Sequence, residues 1–365
     1  MKKEKRNKIL TLLLFVQIGL VYLLSNFPDF IERVYSNGIY IYLSIFFRSI
    51  LGWIPFSIGD IIYAYLIFLI LRFIIRIFKK NGRSLSSLFF QAFANLSIFY
   101  FCFYFFWALN YSRPPITYSL QLEISKSSLS TGKYDIEKLK LLSDKLIYKI
   151  KVLQKELALN DTLAVVVPYS SKEILNLTSN GYQNLSKIFN QFRYERVSLK
   201  KSMFSLPITY MGFAGYFNPL TGEAQVDYLI PKVSLPMTCS HEVAHQLGIA
   251  SESEANFIGF LAANFNSDKY FQYSAILAAL RYTLFDIYRY DENLYREYIS
   301  KLPLGVIKNF KESDEFWEKY QNPAEPFFKM FYDNYLKMNQ QKDGLKSYNQ
   351  MVELLIAYDD KYKLK

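Results

Sequence analysis

Three long apolar runs occupy the first third of the chain, and the remainder alternates apolar and polar residues at the spacing of amphipathic helices and short strands. Each run approaches the roughly 20 residues that a membrane-spanning helix requires. The pattern therefore predicts a membrane domain over residues 1–110, with about three spans at residues 9–27, 61–78 and 88–107.

Two features of this region leave alternatives open. The first run follows a basic segment, as in a cleavable signal peptide, but residues 25–28 do not resemble a cleavage site and favour a retained span. Residues 39–53 are apolar but interrupted by an arginine and a glycine, which favours an interfacial or re-entrant helix over a fourth span. Residues 111–132 contain a proline pair and a polar, turn-rich stretch, so we expect a linker there.

Residues 133–365 are expected to form an exported, zincin-like domain that is mostly helical with a small sheet, which makes the fold class α+β. Ser170 or Ser171 is placed to cap its second helix. Apolar periodicity predicts helices at residues 134–157, 170–192, 251–265, 271–290, 292–300, 310–320, 326–338 and 345–358. Strands are predicted at residues 162–167 and 223–228.

Charge sets the expected orientation in the membrane. The net charge is +11, and much of the excess lies in the N-terminal tail and in residues 76–83, beside apolar runs. No basic-aromatic motif supports nucleic acid as a partner. The positive-inside rule makes the tail and the basic loop cytoplasmic, and three spans then place the C-terminal domain outside. The two cysteines, Cys102 and Cys239, predict no disulfide framework.

The only two histidines of the chain, His241 and His245, lie four residues apart, with Glu242 directly after the first. On a helix this spacing puts both imidazoles on one face, where they can bind one zinc ion. Glu242 can then take a proton from water activated by the ion, which is the chemistry of the H-E-x-x-H pattern. Because histidine is so scarce here, two ordinary surface histidines are the less favoured interpretation.

A hydrolytic zinc site needs a third protein ligand, and no further histidine exists to supply it. Gly248 is expected to end the motif helix, and Ser251 to cap a second helix that begins with Glu252 and Glu254. A hairpin of these helices could bring either carboxylate to the metal. Helical phase aligns Glu254 with the face that should pack inwards, so both glutamates are candidate ligands.

The motif and the acidic run after it resemble the gluzincins, metallopeptidases whose zinc is bound by two histidines and one glutamate. Their ligand glutamate often begins a Glu-x-x-x-Asp run whose last residue hydrogen-bonds a ligand histidine. The run from Glu252 to Asn256 matches this pattern with Asn in place of Asp. The resemblance implies that Glu252 is the ligand and that Asn256 orients a histidine.

The chain as a whole also resembles an uncharacterised bacterial family of membrane-anchored H-E-x-x-H peptidases. The resemblance rests on the three spans, on residues 55–60 and 218–224, and on the motif through Phe257. It implies a peptidase-like activity at a bacterial cytoplasmic membrane and no particular substrate.

Many zinc peptidases of this kind bind the substrate backbone along an edge strand that precedes the motif helix. Residues 223–228 are placed to form that strand, and an ordinary hairpin strand is the equal alternative. The substrate contacts would then be Glu223, Ala224, Gln225 and Val226.

Gluzincin-like sites often use a histidine or tyrosine to stabilise the oxyanion, and this chain has no spare histidine. Tyr210, Tyr216 and Tyr228 are the candidates. Cys239 lies two residues before His241 and off its helical face, so we expect it to pack rather than to bind metal.

These features predict a membrane-anchored zinc metallopeptidase that hydrolyses peptide bonds of peptides or proteins at the outer face of the cytoplasmic membrane, with membrane lipid as its other partner. The alternative is a non-catalytic membrane protein with a structural metal or none, whose helical domain binds a partner. A narrower alternative keeps the zinc and changes the substrate to peptidoglycan peptides or another amide.

Overall fold

The computed structural model describes residues 2–78, 84–124, 135–339 and 350–364. Within these ranges the protein is mostly helical and contains one three-stranded sheet. Parts of the expected basic loop, linker and last helix lie outside the described residues, namely residues 79–83, 125–132 and 345–349.

Three helices among the described residues are long and apolar enough to cross a membrane, which confirms the three predicted apolar runs. They are α1 (Lys2–Ser25), α4 (Ile58–Phe78) and α5 (Leu85–Phe106). α1 packs along α5. α4 is exposed along nearly its whole length.

The segment between α1 and α4 folds against the C-terminal domain. α2 (Pro28–Phe30) leads through a π-helix (Ile31–Ile39) into α3 (Tyr40–Leu51). The polar residues Ser44 and Arg48 of α3 are buried, and the Arg48 guanidinium donates a hydrogen bond to a backbone carbonyl of that domain. α3 is not among the candidate spans, and its polar face packs against the protein, which favours the interfacial or re-entrant interpretation.

The first part of the expected linker is folded. A 3-10 helix (Ala108–Ser112) and α6 (Ile116–Leu120) follow α5. Ile116 and Leu122 are buried in the main hydrophobic core. Residues 111–124 therefore join the membrane helices to the C-terminal domain by packing, not as a loose connection.

α7 (Ile136–Leu157) and α8 (Ser171–Ser186) confirm the first two helices predicted for the C-terminal domain. Ser170 caps α8: its hydroxyl accepts a hydrogen bond from the Glu173 amide, and the Glu173 carboxylate accepts one from the Ser170 amide. This reciprocal capping box explains why the helix begins where the sequence indicated.

The predicted strand at residues 162–167 is wrong. The segment is extended but is not paired with another strand of the described chain. Instead the side-chain amide of Asn309 accepts from the Val165 amide at 3.0 Å and donates to the Val165 carbonyl at 3.1 Å. A side chain thus satisfies the backbone groups that a neighbouring strand would otherwise pair.

The sheet has the order β1-β3-β2 and is formed by β1 (Leu199–Lys201), β2 (Gly215–Asn218) and β3 (Glu223–Val226). α9 (Ser205–Tyr210) lies between β1 and β2 in the chain. β3 runs parallel to β1 and antiparallel to β2.

β3 is the central strand, and this corrects the prediction that it is an edge strand for substrate. Its backbone is paired with β1 on one side and β2 on the other, so no free edge is left for a peptide. The four residues expected to contact substrate are instead buried within the sheet, and they are Glu223, Ala224, Gln225 and Val226.

The C-terminal part is helical, as predicted. α10 is the motif helix, and α11 follows it in the chain. α15 is named the cover helix because its Tyr332 contacts Glu252 of α11. The bounds are α10 (Leu235–Gln246), α11 (Glu252–Phe265), α12 (Lys269–Tyr290), α13 (Glu292–Ser300), α14 (Leu304–Tyr320), α15 (Glu325–Met338) and α16 (Gln350–Tyr362). α14 begins directly after Pro303, six residues before its predicted start, because proline favours the entry to a helix.

Candidate metal centre

The motif helix ends before Gly248, as the sequence indicated, and a proline lies at its start. Pro236 lies in its first turn, where its missing N–H would have no helical partner. Gly248 follows the helix with φ +80°. A Cβ at this position would lie 3.0 Å from the Asn110 side-chain oxygen and from the Tyr40 ring, so glycine is needed for both conformation and space.

The two histidines meet on one face of the motif helix. His241 Nε2 and His245 Nε2 lie 3.1 Å apart, and their rings are nearly perpendicular. His245 Nδ1 is 2.7 Å from the Ile249 carbonyl oxygen. Because a carbonyl can only accept, Nδ1 carries the hydrogen and Nε2 faces the cluster in the neutral ring.

Glu252 completes the cluster from the first turn of α11. Its Oε2 is 3.3 Å from His241 Nε2, and its Oε1 is 3.6 Å from His245 Nε2. The turn at Gly248 reverses the chain, and α11 then packs closely on the motif helix. At Gly259 a Cβ would lie only 2.8 Å from the His241 backbone, so this close packing brings the carboxylate to the histidines.

The three side chains fit a tetrahedral metal ion. One donor atom from each of His241, His245 and Glu252 lies within 4.8 Å of the other two. Ligand atoms about 2.1 Å from an ion at tetrahedral angles would be about 3.4 Å apart. The two Nε2 atoms are 3.1 Å apart, and each lies 3.3 or 3.6 Å from one of the two Glu252 oxygens, so the side chains are close enough to hold one ion, and three ligands would leave one of four positions open.

The charges of the cluster are complementary. Burial opposes the charged form of His245, but Glu252, Glu242 and the Ile249 carbonyl together outweigh burial and raise the pKa of His245 to about 9. Burial also opposes ionisation of Glu252, yet the two histidines hold the pKa of its carboxyl well below the usual range. The cluster therefore contains a buried carboxylate that favours a cation beside it.

Glu254 is not in the cluster, and this corrects the prediction that it could be a metal ligand. Its Oε1 accepts a hydrogen bond of 2.8 Å from the Ile116 amide, at the start of α6. Burial raises the pKa of Glu254 to about 7, and Arg113 lowers it only partly. Glu254 thus fixes the segment after the third span against α11, whereas Glu252 faces the histidines.

Glu242 is buried beside the cluster with one oxygen free. Its Oε2 has no hydrogen-bond partner among the described residues. Burial raises the pKa of Glu242 to about 7, while the two histidines lower it. A carboxyl with a pKa near neutrality can both accept and release a proton, as a general base and acid must.

Tyr332, on the cover helix α15, was not predicted as a site residue. Its hydroxyl donates a hydrogen bond of 2.6 Å to Glu252 Oε1. Its ring packs on Phe213 and stacks on Tyr335. No sequence motif links Tyr332 to residues 80 positions away, so only the fold reveals it.

The three tyrosines proposed for the oxyanion have other contacts. Tyr216 donates its hydroxyl to Asp60, at the start of α4. Tyr210 is exposed and packs on Tyr320, and Tyr228 is exposed beside Lys201. None of the three hydroxyls hydrogen-bonds a residue of the cluster, and a role for any of them at the oxyanion stays a prediction.

The structure agrees with the expectation for Cys239 but not with the one for Asn256. Asn256 is buried in α11, but its Nδ2 has no partner in the described chain, and neither has His241 Nδ1. The hydrogen bond expected between Asn256 and a ligand histidine is therefore not formed. Cys239 is fully buried in the main core, and burial raises the pKa of its thiol, as expected of a packing residue.

The end of the motif helix is held by residues from the membrane-proximal segments. The indole of Trp107, directly after α5, donates to the His245 carbonyl at 3.1 Å. The hydroxyls of Tyr40 and Ser44 on α3 both donate to the Gln246 carbonyl at 2.9 Å. These bonds satisfy carbonyls that have no partner at a helix C-terminus.

The sheet is attached to the start of α4 in a similar way. Glu223 accepts hydrogen bonds from the Gly59 amide at 2.6 Å and from the Ile58 amide at 3.3 Å. Asp60 accepts from the Met203 amide at 2.6 Å. Residues 55–60 and 218–224, noted separately in the sequence, thus meet in the fold.

Comparison with known proteins adds a family and no activity. No curated protein and no solved structure matches the chain. Residues 35–356 match the model of a family described as "Protein of unknown function (DUF3810)", and because that match covers most of the chain, the protein belongs to this family.

Proposed function

We propose that this protein is a membrane-anchored, zinc-dependent peptidase. The observation that carries the proposal is the convergence of His241, His245 and Glu252 beside a buried Glu242 with an unpartnered oxygen. A purely structural metal site would have no need for a free carboxylate next to the ligands. Zinc is the metal favoured by two imidazoles and one carboxylate in a tetrahedral arrangement.

The residues divide the chemistry among them. A zinc ion held by His241, His245 and Glu252 would act as a Lewis acid and lower the pKa of water to about 7. Glu242 takes the proton of the attacking water at its free Oε2 and returns it to the leaving amine. Tyr332 keeps the Glu252 carboxylate oriented through its hydrogen bond.

β2 supplies the edge along which a peptide would bind. Among the described strands it pairs only with β3, so its other edge has no strand partner. At Gly215, a Cβ would lie 2.6 Å from Glu242 Oε1, which places the strand directly against the proposed base. A peptide backbone added to this edge would therefore pass beside Glu242.

The orientation of the chain completes the proposal. By the positive-inside rule, the basic residues at the start of α1 would lie in the cytoplasm of a bacterial cell, and the candidate spans α1, α4 and α5 would then leave the metal centre outside the cytoplasmic membrane. The expected substrates are peptides or proteins at that outer face.

The test compares two buried glutamates in the full-length protein. Zinc content is measured by elemental analysis, and hydrolysis is measured as new peptide termini produced from a mixed pool of synthetic peptides. Glu242→Gln should keep the zinc and lose hydrolysis, because the ligands are intact and the base is gone. Glu254→Gln, outside the cluster, should keep both.

Hydrolysis retained in Glu242→Gln would refute the assignment of the base. Wild-type protein that binds zinc stoichiometrically and cleaves no peptide of the pool would refute the peptidase and leave a metal with a structural role.

A further inference from the structure

α3 has an inverted distribution of polarity. Its polar residues Ser44 and Arg48 face the protein and are buried, whereas Tyr42, Phe46 and Ile50 are exposed. The three apolar residues recur every four positions, so they form one continuous face directed away from the protein. A helix on a water-exposed surface has the opposite arrangement.

The cover helix α15 has a similar outer surface. Phe327, Met330 and Phe331 are each more than half exposed, and Met338 extends this surface towards the end of the helix. Large apolar side chains so grouped on a surface usually mark a contact with a partner or a membrane. The opposite side of α15 carries Tyr332, which contacts Glu252.

Both helices contact the last turn of the candidate span α5, α3 through the rings of Phe47 and Phe106. The Tyr104 hydroxyl near the end of α5 donates to the side chain of Asn339, directly after α15, at 3.0 Å. The Tyr335 ring of α15 packs against Phe103 of α5. Since α5 ends at Phe106, the C-terminal end of α15 lies beside the end of this candidate span.

The metal cluster lies between these two helices. α3 is hydrogen-bonded to the motif helix one residue after His245, and α15 is hydrogen-bonded to Glu252. The exposed apolar faces of α3 and α15 therefore flank the cluster on surfaces that continue from the spans.

We propose that the faces of α3 and α15 rest in the outer interface of the bilayer, and that the enzyme cuts polypeptides anchored in that same membrane close to its surface. The substrate part rests on the proposed peptidase function, whereas the membrane contact does not. The lipid surface is favoured as the occupant because the faces are continuous with the candidate spans and combine aromatic and aliphatic side chains, as interfacial helices do.

The membrane contact is tested by tryptophan fluorescence of the full-length protein in phosphatidylcholine vesicles whose acyl chains carry bromine near the headgroup. Trp53, exposed just after α3, is a natural reporter. Bromolipid quenching should be largely lost in Trp53→Phe and restored when Phe331→Trp is added. Leu159→Trp, at an almost fully exposed position of the C-terminal domain, is the control and should be quenched by aqueous iodide instead.

Quenching of the Phe331→Trp reporter by iodide alone would show that α15 faces water and would overturn the membrane contact. Protection from both quenchers would overturn it as well, since a protein partner would then cover the face.

The substrate class is tested with the same vesicles and mixed-sequence peptides that carry a palmitoyl chain at one end. Cleavage should cluster within a few residues of the anchor, be absent in Glu242→Gln, and fall when the same peptides lack the chain. Cleavage spread evenly along anchored peptides would overturn the substrate class while leaving the peptidase intact. No cleavage at all, with quenching as expected, would remove the peptidase and its substrate and leave the membrane contact standing.

Discussion

Glu252 and Glu254 lie two residues apart on α11, and their surroundings give them different roles. Glu252 faces His241 and His245, whereas Glu254 accepts a hydrogen bond from the Ile116 amide. We predict that Glu252→Gln loses most of the bound zinc, because the amide replaces an anionic ligand. Glu254→Gln should retain the zinc, because an amide oxygen can still accept from Ile116. Elemental analysis of both purified variants checks this, and zinc loss confined to Glu254→Gln would reverse the assignment.

Tyr332 should act on the metal through Glu252. Its hydroxyl holds Oε1 of that residue at 2.6 Å, so Tyr332→Phe removes one hydrogen bond and little volume. Loss of such a supporting contact typically weakens metal binding about 10- to 100-fold. Competition with a chelator of known zinc affinity measures the change. Tyr228→Phe, at an exposed position away from the cluster, is the control, and equal affinities in the two variants would contradict the role of Tyr332.

The site residues differ in how far the sequence could predict them. His241, Glu242 and His245 are defined by local helical spacing, which needs no tertiary information. The choice of Glu252 depends on what lies inside the fold, because the inward position of Glu254 is taken by the Ile116 amide. Tyr332 is one of 31 tyrosines, and only packing of α15 selects it.

At the scale of elements, helix ends with a local cap or glycine were predictable, and the pairing of strands was not. Caps and turns such as the box at Ser170 and the left-handed Gly248 act within a few residues. The partner of residues 162–167 is the side chain of Asn309, more than 140 positions away. Likewise β3 alternates as an edge strand would, but its central position depends on β1 and β2.

The packing of α11 on the motif helix leads to a prediction about one glycine. A Cβ at Gly259 would lie 2.8 Å from the backbone of His241, where neither helix can move without moving a ligand. Gly259→Ala should therefore lower the free energy of unfolding by about 1–3 kcal/mol, as overpacking does. It should also reduce zinc content, because Glu252 lies two helical turns away on the same helix.

Gly19→Ala in α1 is the matched control, because nothing lies within 4 Å of a Cβ at that position. Both variants replace a helical glycine by alanine, which has the higher helix propensity, so propensity should act in the same direction in both. Thermal unfolding and zinc analysis of the two proteins separate close packing from helix propensity. Equal stability and equal zinc content in Gly259→Ala and Gly19→Ala would contradict this prediction. Such a result would show that α10 and α11 can move apart without loss of the metal.

For the whole molecule, the sequence indicated membrane spans and a C-terminal domain but not how closely they are joined. The fall in hydrophobicity after the third span predicts a domain boundary there. In the structure, Trp107, Tyr40 and Ser44 hold the end of the motif helix. Arg113, in the segment after α5, also forms an ion pair with Glu32 of the π-helix and donates a hydrogen bond to the Gly248 carbonyl. Periodicity describes each segment alone and carries no information about such contacts.

The orientation of the molecule is open to a direct test with single introduced thiols. Leu159 in the C-terminal domain is 95% exposed, and Lys5 lies in the exposed basic tail. The native thiols should interfere little, because Cys239 is buried and Cys102 lies within α5. In intact bacterial cells, a membrane-impermeant maleimide should label Leu159→Cys, whereas Lys5→Cys should react only after the cells are opened. The positive-inside rule predicts this result, because it would keep the basic tail in the cytoplasm, and three spans would then carry the metal centre across the membrane. Labelling of Lys5→Cys in intact cells, with Leu159→Cys protected, would place the metal centre in the cytoplasm.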